Sequence, residues 1–519
     1  MIATCAEMKQ IEERAFARGI TAESLMDEAG ARIAGAVRQF FPEPGRCLVV
    51  FGKGHNGGDA LVAARHLLEC GWEIEMEAAF PREQLAELTL TKLRALEANL
   101  DLRSDHARNA LPFADAAKSP ERLLSGPTVI LDGLLGIGGS PGLRDPIRAA
   151  TMKINQLRRE IGAAVFAIDI PTGLDGDTGT ADSETVVADF TLTIGVPKRG
   201  LLADSALDYV GRLAVLPLPE LLASESGASL ESVATPASLS GLLPARAFST
   251  HKGDCGRVGI VAGSRGLTGA AIMAANAAVR AGAGLVTLFV TTDIYPLIVP
   301  AVMPEVMVAP LGNYHEVLEH TLDVLAIGPG LGRENAEAIL ALTEHFPGPM
   351  VVDADALNAL AGHLNVLHRV VGPRLLTPHP GEMRRLFADF DLYSRKDAAE
   401  RFLLDLAEHG ALPALLLKGA RTLVAQMAIQ PALGKVACHY SYNSTGNPGM
   451  ASGGMGDVLT GTCAALAGQG LPLFDAARLA AWLCGRAAEI EASNNARSQE
   501  SLSATDLLEA FGRAFAEVR

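Results

Sequence analysis

The sequence predicts two α/β domains joined by a linker, and three observations predict them. Short apolar runs without polar alternation recur along the chain: CLVVF (47–51), TVILD (128–132), AVFAID (164–169), VGIVA (258–262), VLAIG (324–328) and ALLLK (414–418). Runs of that kind are strands of a parallel sheet buried on both faces. Each precedes a glycine-rich or polar loop, the place where a doubly wound sheet carries its working residues. Second, 519 residues exceed what one core organises. Third, the texture changes over PLPELLASESGASLESVATPASLSGLLPAR (217–246), which is rich in Pro, Ser and Ala and has no strand period. The expected division is a first domain over 1–218, a linker with a short helix or two over 219–245, and a second domain over 246–519. The two halves share no motif order and no short repeat runs through them, so they are distinct domains rather than a duplication or a solenoid.

Composition narrows the function classes. Aromatic residues make up 5% of the chain and glycines number 53, which suits close helix-on-sheet packing. The formal charge of −15 gives no counterpart to a nucleic-acid backbone, so no nucleic-acid partner is expected. Any phosphate must be held locally, by amides and a few cations. Seven cysteines without a C-x-x-C pair suggest free thiols in a reducing compartment rather than disulfides or zinc. MIATCAEMKQIEERAF has no apolar core of a signal peptide. It reads instead as a helix, with Thr4 and Glu7 as a capping box and Met8, Ile11 and Ala15 on one face. The most apolar helical stretch is broken by Asn276, Arg280 and glycines, so no membrane span is expected. The expected location is the cytoplasm.

In the first domain, FGKGHNGGDALVAARHL (51–67) reads as strand, glycine turn, helix. Glycines 52, 54, 57 and 58 serve either tight packing or the approach of a phosphate to a helix N-terminus. Asn56 and Asp59 add polar groups that a plain turn does not need. Asp132 ends the strand of VILDGLLGIGGSPGLRDP, and Asp169 ends that of FAIDIPTGLDGDTG, with Thr172 three residues on. Taken singly, either aspartate serves as a turn or helix cap. Together with Asn56 and Thr172 they make an oxygen-rich pocket suited to a hard or alkali cation, or to a proton-transfer base beside one.

HNGGD after a strand, GIGGSPG after LDGLL, DIPTGLDGDTG, and SLMDEAG at 24–30 together resemble the YjeF N-terminal family of NAD(P)H-hydrate epimerases, over roughly residues 1–218. The resemblance implies a Rossmann-like three-layer domain that binds hydrated NADH or NADPH. It implies a potassium ion near Asn56, Asp132 and Thr172. It also implies substrate contacts from His55, Asn56, Gly57, Gly58 and Asp59, from the loop Gly136, Ile137, Gly138, Gly139, Ser140, Pro141 and Gly142, and from Asp169. His55 stands where the family commonly has asparagine. Epimerisation at C6 requires the C–O bond to break and reform on either face, and Asp169 is the expected acid toward the leaving oxygen and base toward the incoming water.

In the second domain, GNPGMASGGMGDVLTG (446–461) carries six glycines and a lone carboxylate, Asp457, at the start of an apolar run. Amides from Gly454 to Asp457 can form an anion hole for a phosphoryl group in transit, and Asp457 can accept the proton of an attacking hydroxyl. The plain alternative is an N-cap aspartate. LLKGART (416–422), LLTPHPGE (375–382), AIGPGLG (326–332) and HKGDCGRVGIVAGSRGLTGAA (251–271) supply neighbours at strand ends. His379, set between two prolines, is rigidly presented. Asp353 and Asp355 in VVDADALN serve either a phosphate or metal site or simple capping. No G-x-x-x-x-G-K-[ST] occurs, which disfavours the P-loop architecture.

In that order, HKGD, AGSRGLTGA, GPGLG, DADALN, TPHPGE, KGART and GNPGMASGGMGDVLTG resemble the YjeF C-terminal family, the ADP- or ATP-dependent NAD(P)H-hydrate dehydratases, over about 226–519. Ala262 replaces a frequent glycine and Met455 sits inside the anion-hole loop, which works through backbone amides. The resemblance implies a ribokinase-like α/β fold. It places the hydrated nucleotide near Ala270, Gly330, His379 and Asp457, and the adenine nucleotide near Lys418, Gly419, Ala420, Arg421, Thr422 and Gly456. Magnesium is expected on the nucleotide phosphates, with ADP or ATP as donor. The implied reaction phosphorylates the C6 hydroxyl of the S epimer, and phosphate then leaves to restore NADH or NADPH. The first domain interconverts the R and S epimers. The implied assembly is a homo-oligomer. Two rivals stand beside this reading: a kinase of a small alcohol with a regulatory first domain, and a first domain that binds without catalysing.

Overall fold

A computed structural model describes residues 1–102, 126–139, 141–222, 229–430, 435–493 and 497–519. The described residues form two compact units, Met1–Ser229 and Leu230–Arg519. Among them, no helix is long and apolar enough to cross a membrane.

The first unit holds a parallel six-stranded sheet of β1 (Arg46–Phe51), β2 (Glu73–Ala78), β3 (Thr128–Gly133), β4 (Ala164–Ile168), β5 (Phe190–Ile194) and β6 (Arg212–Leu216), ordered β2-β1-β3-β4-β5-β6. Non-alternating apolar strands have two buried faces. Cys47, Val49 and Phe51 of β1 join one core cluster with helices Ala22–Phe40 and His55–Glu69. Leu48 and Val50 join another with the helix Ile147–Ile161. The expected three-layer arrangement follows. The exposed edge strand β2 carries Glu73, Glu75 and Glu77, charges that discourage further strand pairing. The first helix, Cys5–Ala17, is capped by Thr4 and Glu7 and buries Met8, Ile11 and Ala15 as the pattern predicts.

Chain order reverses at β1: β2 lies on one side of it and β3 on the other. The crevice beyond the carboxyl ends of these strands is where such sheets bind ligands.

The second unit holds ten strands: β7 (Glu231–Ala234), β8 (Arg257–Val261), β9 (Leu285–Thr291), β10 (Val306–Leu311), β11 (Val324–Ile327), β12 (Met350–Val352), β13 (Arg374–Leu376), β14 (Ala414–Leu417), β15 (Leu423–Gln430) and β16 (Lys435–Asn443). Their order is β10-β9-β8-β11-β12-β13-β14-β15-β16-β7. Strands from β10 through β14 run parallel, then β15 and β16 add an antiparallel hairpin. The switch point lies between β8 and β11.

The stretch read as a linker holds more than short helices. Its β7 pairs in parallel with β16 and extends the sheet, and Ser444 Oγ donates to Ala234 O at 2.7 Å. The Pro- and Ser-rich composition hid a strand that pairing with the edge of β16 makes.

The helix Met455–Gly468 packs on Thr268–Arg280 through small residues. A Cβ added at Gly461 would lie 2.0 Å from Ala274 O, so only glycine permits this approach. Close packing there fixes the helix that bears Asp457 against the helix that bears Ala270.

Candidate active sites

Three parallel strands deliver the first constellation. After β1, glycines 52 and 54 turn the chain into the helix that begins at His55, with Gly54 as its cap and no side chain capping it. Asp132 lies one residue before the end of β3, and Asp169 follows β4 directly. Asp169 holds a left-handed backbone, φ 67°, uncommon for a non-glycine residue and concentrated at functional positions.

A cavity of about 310 Å³ opens there, lined by His55, Asn56, Asp59, Gly136, Ile137 and Asp169 from the predicted set. Gly57 and Gly58 do not line it. A Cβ on Gly57 would meet Gly52 O at 2.4 Å, and one on Gly58 would meet Met26 Cε at 2.5 Å, so packing accounts for both. Gly138, Gly139, Pro141 and Gly142 also lie outside the lining. Gly142 N–H is taken by Asp182 Oδ2 at 2.8 Å, and Gly139 N–H by Gly136 O at 2.8 Å. Ser140 lies outside the described residues.

Two cavity groups were not read from the sequence. Lys198, 1% exposed, donates its ammonium to Asp169 Oδ1 and to Ile194 O at 2.9 Å. Glu12 reaches the cavity from the first helix. The available signal for Lys198 was a lysine just past a buried parallel strand, in VPKRG; nothing local marks Glu12. Burial, then the charges of Asp169 and Glu12, hold the Asp59 carboxyl well above the usual carboxylate range. Burial and Asp169 also raise Glu12, with Lys198 and Lys9 opposing. One cavity thus holds a lysine–carboxylate ion pair beside two carboxyls of raised pKa, a division suited to proton transfer.

Asp132 and Thr172 meet beneath the cavity. Thr172 donates its N–H to Asp132 Oδ2 at 2.9 Å and its hydroxyl to Oδ1 at 2.8 Å, and Leu134 N–H donates to Oδ1 at 3.2 Å. Burial pushes Asp132 up to about 6 against those three bonds. Among the described residues no lysine or arginine pairs with it. Asn56 Nδ2 is buried and has no partner there either. A fully buried carboxylate beside the Thr172 hydroxyl supplies hard oxygen donors of the kind an alkali ion takes, and Asn56 would join them through Oδ1, with its unpartnered Nδ2 turned away.

The second constellation gathers at the carboxyl ends of β12, β13 and β14. Asp353 occupies the cap position of the helix Ala354–Leu360 but does not cap it. Its Oδ1 instead accepts from Lys418 Nζ at 2.6 Å, and its Oδ2 from Thr460 Oγ1 at 2.7 Å. Asp355 is different: it takes Gly332 N–H at 2.8 Å and Asn358 Nδ2 at 3.2 Å, so it fastens the glycine loop after β11.

Lys418 begins the turn between β14 and β15. The turn is closed by Thr422 Oγ1 on Gly419 O at 3.1 Å and by Arg395 Nη1 on Ala420 O at 2.9 Å. Gly419 and Arg421 take positive φ, 146° and 54°. Burial lowers the Lys418 pKa, but Asp353, Glu382 and Asp457 outweigh it and hold the ammonium charged.

Opposite, the helix Met455–Gly468 starts from Gly454 at φ 90°, with no side chain on its first amides. Asp457 is the third residue of that helix and not its cap. A Cβ on Gly456 would stand 3.3 Å from Lys418 Nζ and 3.8 Å from Asp353 Oδ2, so glycine keeps the amide end of the helix open toward the lysine. Burial, then the charge of Asp353, push Asp457 up to about 6, with Lys418 opposing.

His379 caps the helix Pro380–Leu386. Its Nδ1 accepts from Gly381 N–H at 2.9 Å and Glu382 N–H at 3.3 Å, which leaves the proton on Nε2 of a half-exposed ring. Ala270 and Gly330 come together at the switch point, where a Cβ on Gly330 would stand 3.0 Å from Ala270 Cβ. The arrangement offers a cation, a row of helix amides and a carboxylate with raised basicity within one crevice, the parts a phosphoryl transfer uses.

Known proteins match both halves. A family profile described as "NAD(P)H-hydrate dehydratase" matches residues 258–511, and one described as "YjeF-related protein N-terminus" matches residues 22–200. The bifunctional NAD(P)H-hydrate repair enzyme Nnr of Moorella thermoacetica is 37% identical over 535 aligned positions, covering 98% of this chain and 95% of that protein. The protein of the same name from Escherichia coli is 35% identical, covering 96% of this chain and 91% of its own. A crystal structure of ADP/ATP-dependent NAD(P)H-hydrate dehydratase from Bacillus subtilis, co-crystallized with ATP/Mg2+, is 28% identical over 56% of this chain and 99% of its own, with a TM-score of 0.46. With relatives this similar along nearly its whole length, the chain belongs to the family of bifunctional NAD(P)H-hydrate repair enzymes.

Proposed function

We propose that this chain restores hydrated NADH and NADPH: the second unit dehydrates the S epimer at the expense of ADP or ATP, and the first interconverts R and S. The observation that carries the reading is Gly456, whose missing Cβ leaves the helix amides beside Asp457 open to Lys418 across the crevice.

Hydroxide is a poor leaving group, and phosphate is a good one. Asp457 accepts the proton of the C6 hydroxyl as that oxygen attacks the terminal phosphorus of the nucleotide. Amides from Gly454 to Asp457 and the Lys418 ammonium stabilise the equatorial oxygens. The C6–O bond then breaks, phosphate departs with the bonding pair, the ring nitrogen supplies its lone pair, and a C5 proton is lost to give the dihydronicotinamide. Lys418 to Thr422 hold the nucleotide; Ala270, Gly330 and His379 hold the hydrated ring. Magnesium on the nucleotide phosphates, when bound, neutralises charge during transfer.

In the first unit Asp169, ion-paired with Lys198, handles the proton of the departing and returning water. His55, Asn56 and Asp59 line the substrate side, as do Gly136 and Ile137. Asn56, Asp132 and Thr172 hold potassium, which when bound supplies the charge that the buried Asp132 lacks. We place the reaction in a reducing compartment, in keeping with seven unpaired cysteines, five of them buried.

The test is to give the full chain mixed R and S hydrated NADH, with and without ADP, and follow the absorbance of restored NADH and the release of phosphate. Full recovery with ADP supports both halves. Recovery that stalls at the S fraction leaves only the dehydratase. A stable phosphorylated alcohol in place of free phosphate overturns the reading in favour of a small-alcohol kinase.

A further inference from the structure

We infer that Asp353 is a positioning residue of the phosphoryl-transfer site, holding the nucleotide-loop cation and the base-bearing helix in one register. The inference rests on the reading of Asp457 as the base. Asp353 is 1% exposed, and each of its oxygens has a single task. Oδ1 takes Lys418 Nζ at 2.6 Å, and Oδ2 takes Thr460 Oγ1 at 2.7 Å. Thr460 lies three residues after Asp457 on the same helix, hence on the same face one turn further in.

The carboxylate therefore ties the lysine that follows β14 to the helix whose N-terminus must meet the phosphoryl group. Without it Lys418 would keep Glu382, 3.9 Å away, and the charge of Asp457, neither at hydrogen-bond distance among the described residues. The same charge lies close enough to Asp457 to be the second cause, after burial, of that group's raised basicity. A cap aspartate would do neither, and this one leaves its cap bond unmade. Both consequences serve transfer: a fixed cation on the phosphate side, and a base that binds its proton more tightly on the hydroxyl side.

The experiment measures kcat and the KM for ADP with the S epimer, from pH 5 to 8, on the full-length protein. D353N is expected to lower kcat at pH 8 by about 10- to 100-fold and to raise the KM for ADP, because the lysine loses its anchor. It is also expected to move the acid limb of the pH profile to lower pH by about one unit, because a like charge near Asp457 is gone. T460V removes a bond and no charge, so kcat falls while the limb keeps the wild-type midpoint, and Thr460→Ser restores the rate. A D353N limb at the wild-type midpoint overturns the inference. So does a T460V enzyme with wild-type kcat, an outcome that can be read even if D353N does not fold. D457N separates the two levels: if it keeps a wild-type acid limb, Asp457 is not the base, and the underlying reading falls with the inference.

Discussion

Lys198 bonds Asp169 inside the first cavity, a lysine 1% exposed against a carboxylate in a left-handed turn. Removing one partner of a buried pair leaves the other charged in a poor dielectric. K198M is therefore expected to strip Asp169 of its cation and to slow epimerisation by about 10²- to 10⁴-fold, the range for loss of an acid–base group. Dehydration of pure S epimer should keep its rate. The measurement is recovery of NADH from pure R epimer with ADP in excess. Wild-type recovery by K198M would show the pair to be structural only.

Asp457, raised to about 6 by burial and by Asp353, must be ionised to accept the hydroxyl proton. Dehydratase kcat should therefore be full above its pKa and fall as pH drops through about 6, tenfold per unit below it. D457N should lose about 10²- to 10⁴-fold at pH 7.5, and its residual rate should show no acid limb. Stopped-flow absorbance of NADH across pH reads both.

Much of where the candidate residues lie was legible because parallel strands place polar residues at predictable ends. Asp132, Asp169 and Lys418 each stand at or just past a buried apolar run, and Asp457 stands in the first turn of a helix. Lys198 and Glu12 were not legible as candidates, since what brings them together is a cavity assembled from distant segments. The HNGGD glycines suited either tight packing or a phosphate cradle, and the contacts of Gly57 with Gly52 and of Gly58 with Met26, which no local pattern announces, favour packing for those two. Asp353 and Asp355 sit two residues apart in one motif. One reaches Lys418 and the other fastens Gly332, a difference that only the tertiary fold decides.

Asp132 makes the potassium assignment testable without turnover. Burial raises its folded pKa to about 6 from an ordinary 3.8, so the folded state prefers the proton. The stability tied to that proton is full below about 4 and is lost as pH rises through about 6, roughly 3 kcal/mol in all by linkage. An ion beside the carboxylate offsets the loss only where Asp132 is ionised. Replacing tetramethylammonium by potassium should thus raise Tm by a few degrees, about 2–4 °C, at pH 7.5 and leave it unchanged at pH 4.5. D132N should abolish the difference. Equal gains at both pH values would point to a site elsewhere.

Arg486 supports the start of the glycine loop that leads to Asp457, through Glu489. It donates to Glu489 Oε2 at 2.9 Å and to Glu517 at 2.8–2.9 Å, while Glu489 Oε1 takes the N–H of Gly446, the first residue of GNPGMASGGMGD. Arg486 and Glu489 are both buried, at 6% and 4% exposed. R486M would remove the buried guanidinium that Glu489 and Glu517 share, and breaking a buried pair costs about 3–5 kcal/mol. E489Q keeps an acceptor for Gly446 and removes the charge that needs Arg486, so it should cost less. Urea unfolding of the full chain should place the second unit's midpoint in the order wild type, E489Q, R486M. Dehydratase kcat should fall with R486M even where the protein remains folded, because Gly446 leads into the loop that presents Asp457. An R486M enzyme with wild-type midpoint and kcat would show that the loop is held by its other ties, among them Asn447 Nδ2 on Ala488 O at 3.0 Å.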